Sequence, residues 1–384
     1  MRLMFKITEF VSNHILFDLK YLEVPVSKQL EYLNSLGMPN DDVERSFLQY
    51  KCQTYYTKWY YLMALNIVGY LYILIFPALY LLSKRPSCSN RYDALEEAKD
   101  WKNTCLPESL KQRYPNRVAI GFEGRCYLGI EDIRYVICII KRKPLNGYFL
   151  MKCIQKIAKY KYLITCYKPS AVLVHGEYSF TSSILTDYCN ILKIKHIDYQ
   201  HGDRMLQISC SFFHFDECFV WDNHYKDIYK QLKVSSEIIV ERPMSLKIDI
   251  ESYKNCQLYA DCKYYLGGES EDQMAVIRDN MDKIGKLGMT WKVRPHHNYT
   301  NTQLLYKFFK TEEIESNSIS IEDSISNLKY PISLISTVLY QASSNGLIPI
   351  VDDLTNIKLY DQLIDLNYII MSKQHIKLSD FLSK

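Results

Sequence analysis

Residues 331–352 read PISLISTVLYQASSNGLIPIVD. An apolar run, Pro331–Ile335, meets the hydroxyl pair Ser336-Thr337. A short helical pattern follows to Asn345, Gly346 stops it, and a second apolar run, Leu347–Val351, leads into Asp352-Asp353. This spacing predicts a strand–helix–strand unit whose helix opens on two adjacent hydroxyls. A helix start leaves backbone N–H groups unpaired, and beside two side-chain hydroxyls it suits a phosphate. Further upstream, Val293-Arg294-Pro295-His296-His297 predicts a strand end carrying a cation and two imidazoles. Together the two stretches point to a pocket for a nucleotide-linked substrate.

The same alternation extends in both directions. Apolar runs at Arg117–Phe122, Tyr135–Ile140, Ser170–Val174 and Cys218–Trp221 read as strands, and so does Lys195–Tyr199. Helical patterns separate them at Met151–Tyr167 and Thr181–Leu192, and another follows at Asn223–Leu232. A second series has strands at Lys263–Gly267, Thr290–Val293 and Tyr368–Met371. Its helices fall at Asp272–Leu287, Thr302–Phe309 and Leu378–Lys384. This is the rhythm of crossovers around parallel sheets, an α/β fold in two Rossmann-like halves with a hinge near residues 233–262. The expected organisation is an N-terminal helical region (1–110), a first Rossmann-like domain (111–240) and a second (241–384).

A chain of 384 residues with 48% apolar and 23% charged residues is long and apolar enough to fold into two domains. The formal charge of +4 is small and no Lys/Arg stripe stands out, so nucleic acid is not an expected partner. Twelve cysteines lie between Cys52 and Cys262 without a C-x-x-C pair, and no secretory leader is read at the start. Reduced thiols in a cytoplasmic protein are the expectation. No finger or ribbon spacing and no D-x-D appears; the nearest approach, Asp249-Ile250-Glu251, falls in the hinge. Catalysis without metal or cofactor is expected.

The segment Trp59–Ser83 carries no charge and is flanked by Lys58 and Lys84-Arg85, with Trp59, Tyr60 and Tyr61 at one edge. Its length could cross a bilayer core. Asn66, Gly69, Pro77 and five tyrosines also fit a buried hairpin, and shallow docking on a membrane surface is the preferred expectation.

In parallel sheets, ligands sit beyond the carboxyl ends of the strands. His175, Glu177, His201, Asp203, Arg294, His296 and Ser336 all follow apolar runs and are expected at those ends. An imidazole at a sheet edge can take a proton from a sugar hydroxyl near neutral pH. His201, between Gln200 and Gly202, is the candidate base, and Glu177 its rival. The plain alternative is a histidine that only bonds a neighbouring loop. His175 and Asp203 are candidates for the acceptor side. His296, Arg294, Ser336 and Thr337 are candidates for holding the phosphate of a leaving nucleotide, with an arginine that only bridges domains as the alternative for Arg294. Capping alone would also explain the hydroxyl pair. Glu123, Asp352 and Asp353 read as turn or cap residues, and Glu269 and Glu271-Asp272 as a helix start, where carboxylates oppose the positive end of the helix dipole.

A strand ending Gln200-His201-Gly202, then a Val220-Trp221 strand, then Arg294-Pro295-His296, then S-T-x-L-x-x-A-x-x-x-G-x-x-P-I from Ser336 resembles bacterial surface-polysaccharide glycosyltransferases of the GT-B type. The resemblance covers about residues 117–384. Within that group the chain is similar to sialyltransferases, polysialyltransferases and the glycerophosphate transferases of teichoic acid synthesis. It implies two Rossmann-like domains facing a central cleft, with the nucleotide phosphate held by His296 and by Ser336-Thr337. His297 stands where a second proline is usual. The Gln200-His201-Gly202 strand end resembles the teichoic enzymes more than the acidic motif of sialyltransferases, which implies His201 as the base. Gln341 takes the place of a glutamate that binds ribose in many UDP-sugar enzymes, which favours a CMP-linked donor such as CMP-sialic acid. The expected activity is sugar transfer from a nucleotide donor to a lipid-linked oligosaccharide, at the cytoplasmic face of the inner membrane, in O-antigen, capsule or lipopolysaccharide assembly. The alternatives are a sugar-nucleotide epimerase or hydrolase, and a non-catalytic membrane assembly protein.

Overall fold

Two parallel β-sheets with helices in their crossovers organise the chain. The structure, a computed structural model, describes residues 24–383 apart from 82, 84, 88–89, 98–104, 121–124, 177, 249 and 251–258. The chain divides into two units: Met1–His201 with Leu206–Pro243, and Gly202–Met205 with Met244–Lys384. The α/β class expected from the sequence is the one observed. Two Rossmann-like units in succession are also what the GT-B resemblance implies; the apolar helix near the N-terminus, expected from its uncharged run, lies outside the stretch that the resemblance covers.

The first sheet contains β1 (Ala94–Glu97), β2 (Arg117–Ile120), β3 (Ala171–His175), β4 (Lys195–Tyr199), β5 (Glu217–Val220) and β6 (Glu237–Val240), in the order β2-β1-β3-β4-β5-β6. Ala171 to Val174 are all buried, as a strand covered on both faces requires. The second sheet contains β7 (Ala260–Tyr265), β8 (Trp291–Arg294), β9 (Leu328–Ser333), β10 (Ile350–Val351) and β11 (Ile376–Lys377), in the order β11-β10-β9-β7-β8. Its core joins Tyr264, Val293, Ile332 and Ile350 to Met274, Ile277, Met281 and Ile284 of the helix Glu271–Lys286. Every pairing is parallel, so all strands in a sheet end on the same edge.

Several elements differ from the sequence reading. Tyr135–Ile140 is not a strand; it lies inside the helix Ile130–Arg142. Its β-branched run misled, but Asp132, Val136 and Ile139 are buried at helical spacing, and Asp132 accepts the Gly129 N–H at 2.7 Å. Ala94–Glu97, assigned by sequence to the helical N-terminal region, is a strand between β2 and β3. Glu237–Val240, read as hinge, is the edge strand β6, too short and too half-exposed to show a pattern. Tyr368–Met371 forms no strand, and Ile369–Ser372 is a 3-10 turn. Of Leu347–Val351 only Ile350–Val351 pairs as a strand. Phe122, Glu123 and Gly124 lie outside the described residues.

The helix after Ser336 spans Thr337–Ser343, and its end follows from the sequence. Gly346 adopts φ +92°, the Gly346 N–H donates to Ser343, and the Leu347 N–H donates to Ala342 at 3.1 Å. That pair of bonds is a Schellman closure, which needs a residue tolerant of positive φ.

Trp59–Leu81 is one 23-residue helix with Pro77 inside it. It packs against the helix Gly147–Tyr167, and the two backbones nearly touch: a Cβ built on Gly69 would lie 2.1 Å from the Gly147 carbonyl carbon. Asn66 Oδ1 accepts the Tyr148 N–H at 3.0 Å, and the buried Tyr72 and Tyr80 hydroxyls share a hydrogen bond at 2.5 Å. Gly69→Ala should therefore force the helices apart and cost about 1–3 kcal/mol or more. The expected readout is a lower melting temperature with faster hydrogen exchange in both helices. Unchanged exchange would contradict the close crossing.

Candidate functional site

In the second unit, the strand end of β9 delivers Ser336 to the helix start. Ser336 is the N-cap: its Oγ accepts the Val338 N–H at 3.2 Å. Thr337 Oγ1 accepts the Asp203 N–H at 3.2 Å. A hydroxyl that accepts one bond still has its own hydrogen, so both side chains retain a donor for an anion. The cap itself is pinned by Tyr368, whose buried hydroxyl receives the Ser336 N–H at 3.2 Å and donates to the Ser336 carbonyl at 3.0 Å. Burial, then the Asp203 charge, pushes the Tyr368 hydroxyl pKa up, so it stays protonated and able to donate.

His296 follows β8, two strands away from β9 across β7, a separation of roughly 10 Å between strand axes. Its Nδ1 accepts the Asn298 N–H at 3.1 Å, while its backbone N–H donates to Thr300 Oγ1 at 2.8 Å. Burial, then the neighbouring His297, lowers its pKa, so the neutral ring prevails. With Nδ1 occupied as an acceptor, the proton of that neutral ring resides on Nε2. His296 thus presents a fixed N–H donor. It stacks on His297 and Tyr299 at 4.6 and 4.5 Å between centroids. A cavity of about 400 Å³ borders His296 and His297 together with Thr300, Tyr306, Glu315 and Asn317; Ser336 and Thr337 do not line it.

Three candidates occupy places that the sequence did not foresee. Arg294 is buried, and its guanidinium is committed inside the unit. Nη1 bonds Glu315 Oε2 at 2.8 Å and Nη2 bonds the Ile319 carbonyl at 2.7 Å. The same Glu315 pairs with fully buried Lys263 at 2.6 Å, and Ser324 also donates to it. Arg294 therefore holds the fold beneath the strand end and does not project to a phosphate. Gln341 is buried with its Nε2 on the Ser245 carbonyl at 3.2 Å, anchoring the Met244–Leu246 turn. Asp203, read as an acceptor group, packs instead at the Thr337 helix start in the second unit.

In the first unit, β3 and β4 end side by side, with His175 paired in register to Tyr199. This brings His175 and His201 together, edge to face, with ring centroids 5.1 Å apart. The strand end beneath is tied by hydrogen bonds. Gln200 is buried, its Oε1 accepts the Trp221 N–H and its carbonyl accepts Trp221 Nε1–H, both at 3.1 Å. Gly176, at φ +58°, donates its N–H to the Tyr199 carbonyl at 3.0 Å. Glu177 lies outside the described residues. Among the described residues no cluster of three or more His, Cys, Asp or Glu could hold a metal ion.

Two contributors escaped the sequence reading. Tyr368 was hidden in an apolar run taken for a strand. Glu269, read as a helix start, folds back so that both carboxylate oxygens accept the Gly267 N–H, at 2.7 and 2.8 Å, and burial raises its pKa. The Gly267-Gly268 pair after β7 was the available signal. Asp352 and Asp353 are turn and cap residues as read: Asp352 accepts the Leu354 and Thr355 N–H groups and the Tyr264 hydroxyl, and Asp353 caps Ser379.

No family model matches the chain, and no curated protein matches it. Among solved structures it is similar to the UDP-GlcNAc 2-epimerase from Methanocaldococcus jannaschii, with 12% identity, 52% of this chain and 66% of that one covered, and a TM-score of 0.34. It is also similar to MnaA of S. aureus with UDP, at 12% identity, 73% and 91% coverage and a TM-score of 0.44. A third is the wall teichoic acid polymerase TagF with CDPG, at 8% identity, 85% and 88% coverage and a TM-score of 0.41. The alignment spans just under two thirds of the first of these proteins. The fold class of this chain rests on its own two parallel sheets.

Proposed function

We propose that this chain is a metal-independent glycosyltransferase that takes a sugar from a nucleotide donor. The observation that carries the reading is the Ser336-Thr337 helix start. Two hydroxyls there retain hydrogens to donate, and Tyr368 holds the cap from behind. Such a site stabilises the negative charge that builds on a departing nucleotide phosphate. His296, neutral with its proton on Nε2, supplies a further donor from the end of β8. On the acceptor side, His201 accepts the proton of the attacking hydroxyl, with Glu177 as the rival base and His175 beside it. The bond from the anomeric carbon to phosphate breaks as the bond to the acceptor oxygen forms. Arg294 and Gln341 are engaged inside the unit, Arg294 by Glu315 and Gln341 Nε2 by the Ser245 carbonyl.

The finer reading is a CMP-linked acidic sugar as donor and a lipid-linked oligosaccharide as acceptor, in surface-polysaccharide assembly at the cytoplasmic face of the inner membrane. It is supported by the sequence resemblance and by the absence of a carboxylate at Gln341. Incubation of the protein with labelled CMP-sialic acid or UDP-sugars and a lipid-linked acceptor tests it. Transfer from one donor supports the reading. Folded protein that transfers from none opposes it, and release of free sugar without acceptor would point to a hydrolase.

A further inference from the structure

The helix Trp59–Leu81 has two unlike faces. Gly69, Tyr72, Phe76 and Tyr80 are buried against the unit, at the spacing of one helical stripe. The opposite stripe is apolar and open: Met63 is 53% exposed, Ile67 54%, Leu71 59%, Leu74 77% and Ile75 48%, and Trp59 at the first turn reaches 72%. A contiguous exposed apolar stripe of this kind marks a docking face.

By length and composition Trp59–Tyr80 could cross a bilayer. Its packing argues otherwise. The Gly69–Gly147 crossing and the Asn66–Tyr148 bond fasten it to the helix Gly147–Tyr167, which carries Lys152, Lys156, Lys159 and Lys161. A span would draw that helix toward hydrocarbon together with its charged side chains, including the Lys159–Glu97 and Lys161–Asp132 pairs, where buried charge is costly. A helix lying in the interface plane leaves this packing and its ion pairs intact and buries only the open stripe.

Charge selects the occupant. From residue 46 to residue 92 the sequence holds Lys51, Lys58, Lys84, Arg85 and Arg91, and no Asp or Glu. Lys58 and Arg85 bracket the apolar stripe, and Trp59, Tyr60 and Tyr61 lie exposed at its first turn, the residue types that favour the headgroup level. An apolar stripe between cations complements an anionic lipid surface, whereas a second copy would set like charges against each other. We infer that the open face of Trp59–Leu81 is a docking site for an anionic bilayer, with the helix in the plane of the membrane. This deepens the membrane part of the proposed function and rests on it only for the identity of the acceptor. Binding is read without donor or acceptor, so its failure and that of the transfer reaction are distinguishable.

The test is co-sedimentation of the full chain with phosphatidylcholine vesicles, with and without about 30% phosphatidylglycerol. The expected result is binding to the anionic vesicles, weakened as salt rises from about 0.05 to 0.5 M, and released by alkaline carbonate. The double variant Leu71→Ser/Leu74→Ser removes two exposed side chains and should bind about tenfold more weakly or worse, with an unchanged melting temperature. Trp59 fluorescence should be quenched by brominated lipid in the parent chain. Protein that stays in solution with both vesicle types overturns the inference. So does carbonate-resistant insertion, which would mean a span, and so does a dimer that the double variant makes monomeric, which would mean a second copy.

Discussion

Replacing His201 by alanine should lower the rate of sugar transfer by roughly 10²–10⁴-fold, the usual contribution of a positioned general base. Donor binding should change little. The expectation rests on how firmly the strand end is held: Gln200 is locked by two bonds to Trp221, and the His175 ring meets His201 edge-on at 5.1 Å. An imidazole on such a base needs little reordering before it takes a proton. The informative readout is the split between kcat and the donor KM: a base lost should lower kcat, whereas a collapsed strand end should raise KM and lower the melting temperature together. His175→Ala should have a smaller effect on kcat, because its proposed duty is to the acceptor. A transfer rate unchanged in His201→Ala would remove it from the chemistry and leave Glu177 as the base.

Glu315→Ala should be the most damaging single change to the second unit, costing about 3–5 kcal/mol. Glu315 is 2% exposed and stands between two cations, Lys263 at 2.6 Å and Arg294 at 2.8 Å. Both opposite charges draw its pKa down against the pull of burial, while burial draws down that of Lys263. Removing the carboxylate leaves two buried positive charges without their counterion, and Lys263 would give up its proton before the fold could hold it. Glu315→Gln keeps the shape and hydrogen-bonding capacity and should cost less. Hydrogen exchange should quicken across β7, β8 and β9 in the alanine variant, with β3 and β4 as protected as before. Equal protection in both sheets, at parental levels, would show that the triad contributes little.

The parts of the fold legible in the sequence were those with a strong period and a clear stop. Ala171–His175 is a short apolar run, Lys195–Tyr199 and Trp291–Arg294 are short segments set between helical patterns and loop residues, and Glu271–Lys286 opens on a Ser270–Gln273 capping box. Ile130–Arg142 was misread because Val136, Ile139 and Ile140 favour strands locally, while the packing stripe that makes them helical is visible only once Asp132 is seen to be buried. Ala94–Glu97 carries two glutamates in four residues and resembles a solvated segment. In the structure Glu96 is buried with Arg117 and Tyr199, and Glu97 is bonded to Lys159 and Tyr160. No local pattern announces such partners.

The site was legible in part for the same reason. Ser336-Thr337 could be located because a strand, a cap and a Gly346 stop stand in order. Arg294 looked like a phosphate ligand because its partner Glu315 lies 21 residues on, in a stretch with no strand or helix signal of its own. Gln341 was placed at a ribose by analogy, and its actual partner, the Ser245 carbonyl, is 96 residues away. Residues whose role depends on a distant backbone group are the ones a linear reading misassigns.

The most direct test of the central claim is a crystal structure of the chain soaked with CMP and, separately, with UDP. Phosphate density is expected within about 3 Å of Ser336 Oγ and Thr337 Oγ1, with one nucleotide ordered better than the other. Density for the nucleotide elsewhere, or an empty helix start at saturating concentrations of both, would contradict it.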